Sequence, residues 1–179
     1  MHFRNLTHAD LEAPMELPGL RDWIGGLRAT DVALLILAPA GTGKSAAVGH
    51  IAHRRNEGVM LCNLMEVLDA PNPEQQLASL LVACETQREE LCYLDKLDRL
   101  LESWDRQHPE QMGKLAEQVR VWLEKKKPAL VERNDAVVFT GRNADSIPLS
   151  LRRAFDAVFP PENGDQPSRR TVRPVRADS

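Results

Sequence analysis

Aromatic residues are scarce, at 4% of the chain, with a single tyrosine, Tyr93, and three tryptophans, Trp23, Trp104 and Trp122. None is accompanied by interleaved basic residues, which argues against a base-stacking platform for single-stranded nucleic acid, and the tryptophans read as core or interface anchors. Positive charge is not in excess either: 23 Lys and Arg against 26 Asp and Glu leave a formal charge of −3. Without a basic field to neutralise a phosphodiester backbone, no nucleic-acid partner is expected. Cysteine is limited to Cys62, Cys84 and Cys92, an odd number without metal-ligand spacing, which argues against a disulfide framework and fits reduced thiols of a cytosolic protein. Long apolar runs are missing too. His2, Arg4, Asp10 and Glu12 interrupt the start of the chain, and no later run approaches a membrane span, so no membrane contact and a cytoplasmic location are expected. His50 and His53, spaced i, i+3, have no third ligand nearby to make a zinc site.

What is present fits one domain: 179 residues suffice for one real core and are short for two. The chain is organised around Asp31 to Arg55. Val32 to Leu37 are apolar in an unbroken run, the pattern of a strand buried on both faces. Ala38-Pro39-Ala40-Gly41-Thr42-Gly43-Lys44-Ser45 cannot continue that strand and must turn. Gly41 and Gly43 let the turn bring backbone N–H groups close to an anion, and Lys44 to Arg55 read as a helix whose N-terminus faces the same anion. This is the chemistry of a Walker A loop. Pro39, Ala40, Gly41, Thr42, Gly43, Lys44, Ser45 and Ala46 are the candidate cofactor-binding residues, with Lys44 placed to reach the β- and γ-phosphates of ATP and the Ser45 hydroxyl to reach Mg²⁺. Ala38 stands where the strict pattern has glycine, which is tolerable if its φ is negative.

Residues 1–16 read as a flexible segment, residues 17–161 as a nucleotide-binding core, and the Pro- and Arg-rich residues 162–179 as a tail too polar to fold. Within the core, Val59 to Cys62 read as a second strand. Pro71-Asn72-Pro73-Glu74 is a helix start, with Leu77, Leu80, Leu81 and Cys84 on the apolar face that follows. Leu91 to Leu94 form a strand ending in Asp95. Helical residues run from Leu97 towards Trp104, break near His108-Pro109, and resume from Glu110 through Leu123, with Lys125-Lys126-Lys127 closing that helix as a solvated end that complements its dipole. Ala136 to Thr140 and Ala157 to Phe159 supply a fourth and fifth strand. Strands alternating with helices predict an α/β fold, a parallel sheet with helices on both faces. Asp95 then arrives at the C-terminal edge of the sheet, where a carboxylate can hold Mg²⁺ or its water.

Here the chain resembles the AAA+ ATPases. Beyond the Walker A loop, Leu94 to Leu100 is similar to that family's Walker B segment, Val137 to Asn143 to its sensor 1 strand, and Ile147 to Asp156 to the segment carrying its arginine fingers. Leu17-Pro18-Gly19-Leu20 is similar to a short box near the adenine. The resemblance implies a P-loop NTPase three-layer sandwich with sheet order 5-1-4-3-2, ATP and Mg²⁺ as cofactors, and a homo- or hetero-oligomer joined through an arginine-finger interface, with a protein client possible. It assigns catalysis to Lys44, Asp95, Asn143, Arg153 and, after it, Arg152, and Mg²⁺ to Ser45 and Asp95. A guanidinium on the neighbour's γ-phosphate is worth roughly 10³ to 10⁵ in rate in related chemistry.

Four departures qualify what the resemblance implies. Lys96 occupies the place of the catalytic glutamate. A protonated lysine has no lone pair for the attacking water, and losing such a base removes about 10² to 10⁴ in rate. At sensor 1, strict alignment places Arg142 on the polar position, while Asn143, one residue later, suits the chemistry better. Asp69 to Pro73 carries no aromatic residue to grip a polypeptide. After Phe159 no helical lid is encoded, so the chain is a minimal member or a fragment. Three readings follow: a weak ATPase, a non-hydrolysing switch or partner subunit, and a P-loop kinase, the last disfavoured because a kinase needs an arginine-bearing lid.

Overall fold

The computed structural model describes residues 3–6, 15, 17–87 and 90–161. The tail expected to be disordered, 162–179, lies outside the described residues, as does most of 1–16. The chain alternates β1 (Arg4–Asn5), α1 (Leu20–Gly25), β2 (Ala33–Leu37), α2 (Lys44–Arg55), β3 (Gly58–Asn63), α3 (Pro73–Thr86), β4 (Glu90–Asp95), α4 (Leu97–Gln107), α5 (Lys114–Arg133), β5 (Val137–Gly141), α6 (Leu149–Arg152) and β6 (Ala157–Phe159). Every residue of β2 and β5 is buried, as continuous apolar strands require when helices cover both faces of a sheet. α1 packs on α2, while α3, α4 and α6 pack on α5.

The sheet order corrects the expectation of a five-stranded, all-parallel sheet. Six strands lie in the order β1-β3-β4-β5-β2-β6. β2 runs parallel to β5 and β6, and β4 parallel to β3 and β5, but β1 adds to the outer edge of β3 antiparallel, pairing Arg4 with Leu61 and Asn5 with Met60. The physical reason is the edge itself: β3 leaves a row of unpaired backbone groups that a short extended segment can satisfy. Two residues are too few to carry a period, so the sequence pattern could not mark them.

α5 is the second correction. It continues through Lys125-Lys126-Lys127 and past Pro128 to Arg133, so the lysines lie inside the helix and not at its end. Lys126 pairs with Glu85 at 3.2 Å, and Lys127 donates to the Ala154 carbonyl at 2.7 Å and faces Asp156 at 3.6 Å. Buried Leu130 fixes the last turn, outweighing the single helical hydrogen bond that Pro128 cannot make. The segment between α4 and α5 is a 3₁₀ turn at Pro109–Gln111, so α5 begins at Lys114 and not at Glu110.

The predicted start of α3 is present: the Asn72 side chain accepts from Gln75 N at 3.2 Å with Pro73 in the first turn, and Leu77, Leu80, Leu81 and Cys84 are its buried residues. Trp104 and Trp122 are buried, and Trp23 meets Phe159 edge-on at 5.7 Å between ring centroids. The three cysteines are buried and unbridged. Among the described residues no helix is long and apolar enough to cross a membrane.

Candidate functional site

Parallel strands β2, β4 and β5 deliver their C-terminal ends to one place, and the turns leaving them surround a cavity of about 340 Å³. The loop after β2 supplies Ala40, Gly41, Gly43, Lys44 and Ser45, β4 and the start of α4 supply Tyr93, Asp95, Lys96, Asp98 and Arg99, and the end of β5 supplies Gly141 and Arg142. The loop turns because Gly41 and Gly43 take positive φ, 79° and 102°, a region that costs a residue with a side chain. Ala38 is not among the positive-φ residues, which is why alanine can replace glycine there. Of the expected loop residues, Pro39, Thr42 and Ala46 shape the turn without lining the cavity.

Lys44 is folded down over the strand ends, donating from Nζ to the Ala38 carbonyl at 2.7 Å and the Gly141 carbonyl at 3.3 Å. Burial pushes its ammonium below the ordinary lysine pKa; Asp95 opposes that shift, Arg142 adds to it and Asp98 opposes it. An anion entering the cavity would relieve the same penalty, because a partly buried cation is stabilised by an opposite charge. Asp95, at the end of β4, accepts from Thr140 Oγ1 at 2.7 Å. Ser45 Oγ lies 3.4 Å from the Tyr93 hydroxyl. The two oxygens expected at Mg²⁺ are therefore brought to one cavity. One hydroxyl and one carboxylate fit this cation, which takes few protein ligands and keeps waters and phosphate oxygens as the rest.

Lys96 adopts φ 70° as the residue preceding α4 and lines the cavity beside Asp95. Asp98, one turn into the helix, is buried, and its Oδ2 accepts from the backbone N–H groups of Arg142 and Asn143 at 3.0 and 2.9 Å. It thereby fixes the loop after β5. Its Oδ1 has no hydrogen-bond partner.

The sensor residue is where sequence and geometry part. Asn143 Oδ1 accepts from Asp145 N at 3.0 Å and its amide faces Ser146 Oγ at 3.3 Å, so the side chain caps its own 3₁₀ turn. Arg142, set aside in favour of Asn143, lines the cavity. Arg152 and Arg153 lie away from it, at the end of α6. Arg152 Nε donates to the Ile147 carbonyl at 3.1 Å, whereas Arg153 is exposed. Tyr93 is a cavity residue that the sequence reading did not single out. Strand alternation marks it, since two residues before Asp95 means the same face of β4.

Residues 34–162 match the model of the family described as ATPase family associated with various cellular activities (AAA). No match to a curated protein was found.

Proposed function

The chain belongs to the AAA family of ATPases, and from that premise we propose that residues 17–161 form a unit that binds ATP with Mg²⁺ and hydrolyses it slowly. The observation that carries this reading is the convergence of Lys44, Ser45 and Asp95 on one cavity at the C-terminal edge of the parallel strands. Loop amides and the start of α2 face the phosphates, and Lys44 swings from its carbonyl partners to the β- and γ-phosphates. Ser45 and Asp95 would hold Mg²⁺, which neutralises charge on the transferring phosphoryl group when bound.

Slow turnover follows from what surrounds the attacking water. Lys96 cannot accept its proton. Asp98 is committed by Oδ2 to the loop after β5, and acts as a positioning residue rather than a base. Catalysis then rests on charge stabilisation, to which a neighbouring subunit's arginine would add. Arg153, exposed on α6, is the first candidate for that role and Arg152, held at Ile147, the second.

Lys96 favours a second reading, a subunit that binds ATP, does not turn it over, and lends an arginine to an active neighbour in a homo- or hetero-oligomer acting on a protein client. Measuring ATP binding and turnover together, with mass determined with and without ATP, separates the two. Lys44→Ala is expected to lower affinity by about tenfold or more, the loss expected when charge-assisted phosphate contacts are removed. If Lys44→Ala binds and hydrolyses ATP as the parent does, the assignment of this cavity is wrong.

A further inference from the structure

Four cations and two carboxylates line the cavity: Lys44, Lys96, Arg99 and Arg142 against Asp95 and Asp98. The acids are engaged within the fold, Asp95 by the Thr140 hydroxyl and Asp98 by two backbone N–H groups. Lys96, Arg99 and Arg142 make no ion pair or side-chain hydrogen bond among the described residues. Three cations without an ion pair among the described residues thus converge beside Lys44, and the lining carries two more positive than negative side chains.

On the metal side of the cavity, the Ser45 hydroxyl is within 3.4 Å of the Tyr93 hydroxyl, and Thr140 donates to Asp95 at 2.7 Å. A neighbouring hydroxyl therefore stands beside each of the two oxygens that Mg²⁺ would take. Ser45 and Asp95 would hold Mg²⁺ there, and the cation would neutralise phosphate charge when bound. The charge that Mg²⁺ usually contributes to triphosphate affinity is meanwhile present on side chains.

We propose that this cavity retains a nucleoside triphosphate with little dependence on Mg²⁺, the Lys96 ammonium and the Arg99 and Arg142 guanidiniums supplying the charge beside Lys44. The proposal rests on the reading of the cavity as an ATP site and goes beyond it, because it assigns affinity to residues which that reading counts only as losses. Lys96 is then not simply a base that is missing but a phosphate contact that is present.

Calorimetric titration of the full chain with ATP, in Mg²⁺ and in EDTA, tests it without reference to turnover. The affinity in EDTA is expected to stay within about tenfold of that in Mg²⁺. Lys96→Asn combined with Arg142→Gln should weaken binding in EDTA by roughly tenfold or more, the loss expected for charge-assisted contacts, and weaken it less in Mg²⁺. Asparagine is chosen because it tolerates the left-handed backbone at residue 96. Loss of more than about tenfold by the parent chain in EDTA, with binding in Mg²⁺ intact, overturns the proposal and leaves the ATP reading standing. Absence of binding in both conditions overturns the ATP reading itself. The comparison on the parent chain holds whether or not the variant folds.

Discussion

Gly141 ends β5 against a buried carboxylate, and replacing its hydrogen by a methyl tests the packing under the candidate site. A Cβ built there lies 2.7 Å from Asp98 Oδ1 and 2.9 Å from its Cγ, well inside van der Waals contact. Asp98 is 4% exposed and cannot swing aside without releasing the N–H groups of Arg142 and Asn143. Gly141→Ala must therefore overpack, at about 1–3 kcal/mol, or give up hydrogen bonds to a charged group, at about 1.5–3 kcal/mol each. The cheaper route sets the expected loss at about 1–3 kcal/mol, which for a chain of this size lowers Tm by about 2–12 °C. The cause is isolated by a double-mutant cycle. In an Asp98→Ala background the two nearest atoms are gone and the Asp98 Cβ position lies at 3.3 Å, so Gly141→Ala should there cost less than about 1 kcal/mol. Denaturant unfolding of the four proteins gives the coupling. Equal losses in both backgrounds, or no loss in the parent, would refute the argument that Asp98 and the β5 end are wedged together.

Two further outcomes are expected. Lys96→Glu should raise turnover by about 10² or more, within the range assigned to a general base; a single-turnover assay with ATP binding intact and no gain in rate would show that the base is not what limits hydrolysis. At the other end of the sheet, burial raises the Glu57 carboxyl pKa from 4.5 to about 7, an effect that Arg55 opposes and Asp135 reinforces. Because the folded chain then binds the proton more tightly than the unfolded one, stability falls as pH rises from about 4.5 to about 7 and stays lower above that. The loss is as much as about 3 kcal/mol. Glu57→Gln should flatten this dependence in thermal melts taken across that range, and an unchanged slope would mean that another group is responsible.

The elements legible in the sequence were those whose residues act locally. α2 begins at Lys44 because a glycine turn and a helix start are both encoded within a few residues, and α3 begins at Pro73 because Asn72 and Pro73 encode a cap and a first turn. The edge that carries the candidate site was legible because neighbouring parallel strands must present their C-terminal ends together. What could not be read depends on distant partners. β1 exists because β3 has an open edge, a fact about another part of the chain. The continuation of α5 past Pro128 depends on Leu130 finding the core and on Lys126 and Lys127 finding Glu85, Ala154 and Asp156. Asn143 was preferred over Arg142 on chemistry alone, yet it is Arg142 that lines the cavity, while Asn143 Oδ1 accepts from Asp145 N.

On the reading proposed above, Lys96 ties slow hydrolysis and the retention of nucleotide to one residue. An acidic residue at position 96, just after β4, would accept a proton from water but would also repel the triphosphate, so such a site needs Mg²⁺ to hold its ligand. A lysine reverses both effects: the water is left unactivated, and the phosphates gain a contact. Arg142 pushes in the same direction, since a guanidinium at the end of β5 binds oxygen anions well and orients water poorly, having no acceptor. Two departures that look like independent decay when considered as losses of catalysis are thus a single shift in what the cavity favours, from passing through the transition state to stabilising the bound ground state. Catalysis improves only with interactions stronger in the transition state than in the bound substrate, so added cations that grip the triphosphate before reaction deepen the well from which turnover must start. That balance predicts opposite responses from the same position. Lys96→Glu should speed hydrolysis in Mg²⁺ while making binding collapse in EDTA, and a variant that moved both in the same direction would separate the two roles assigned to Lys96.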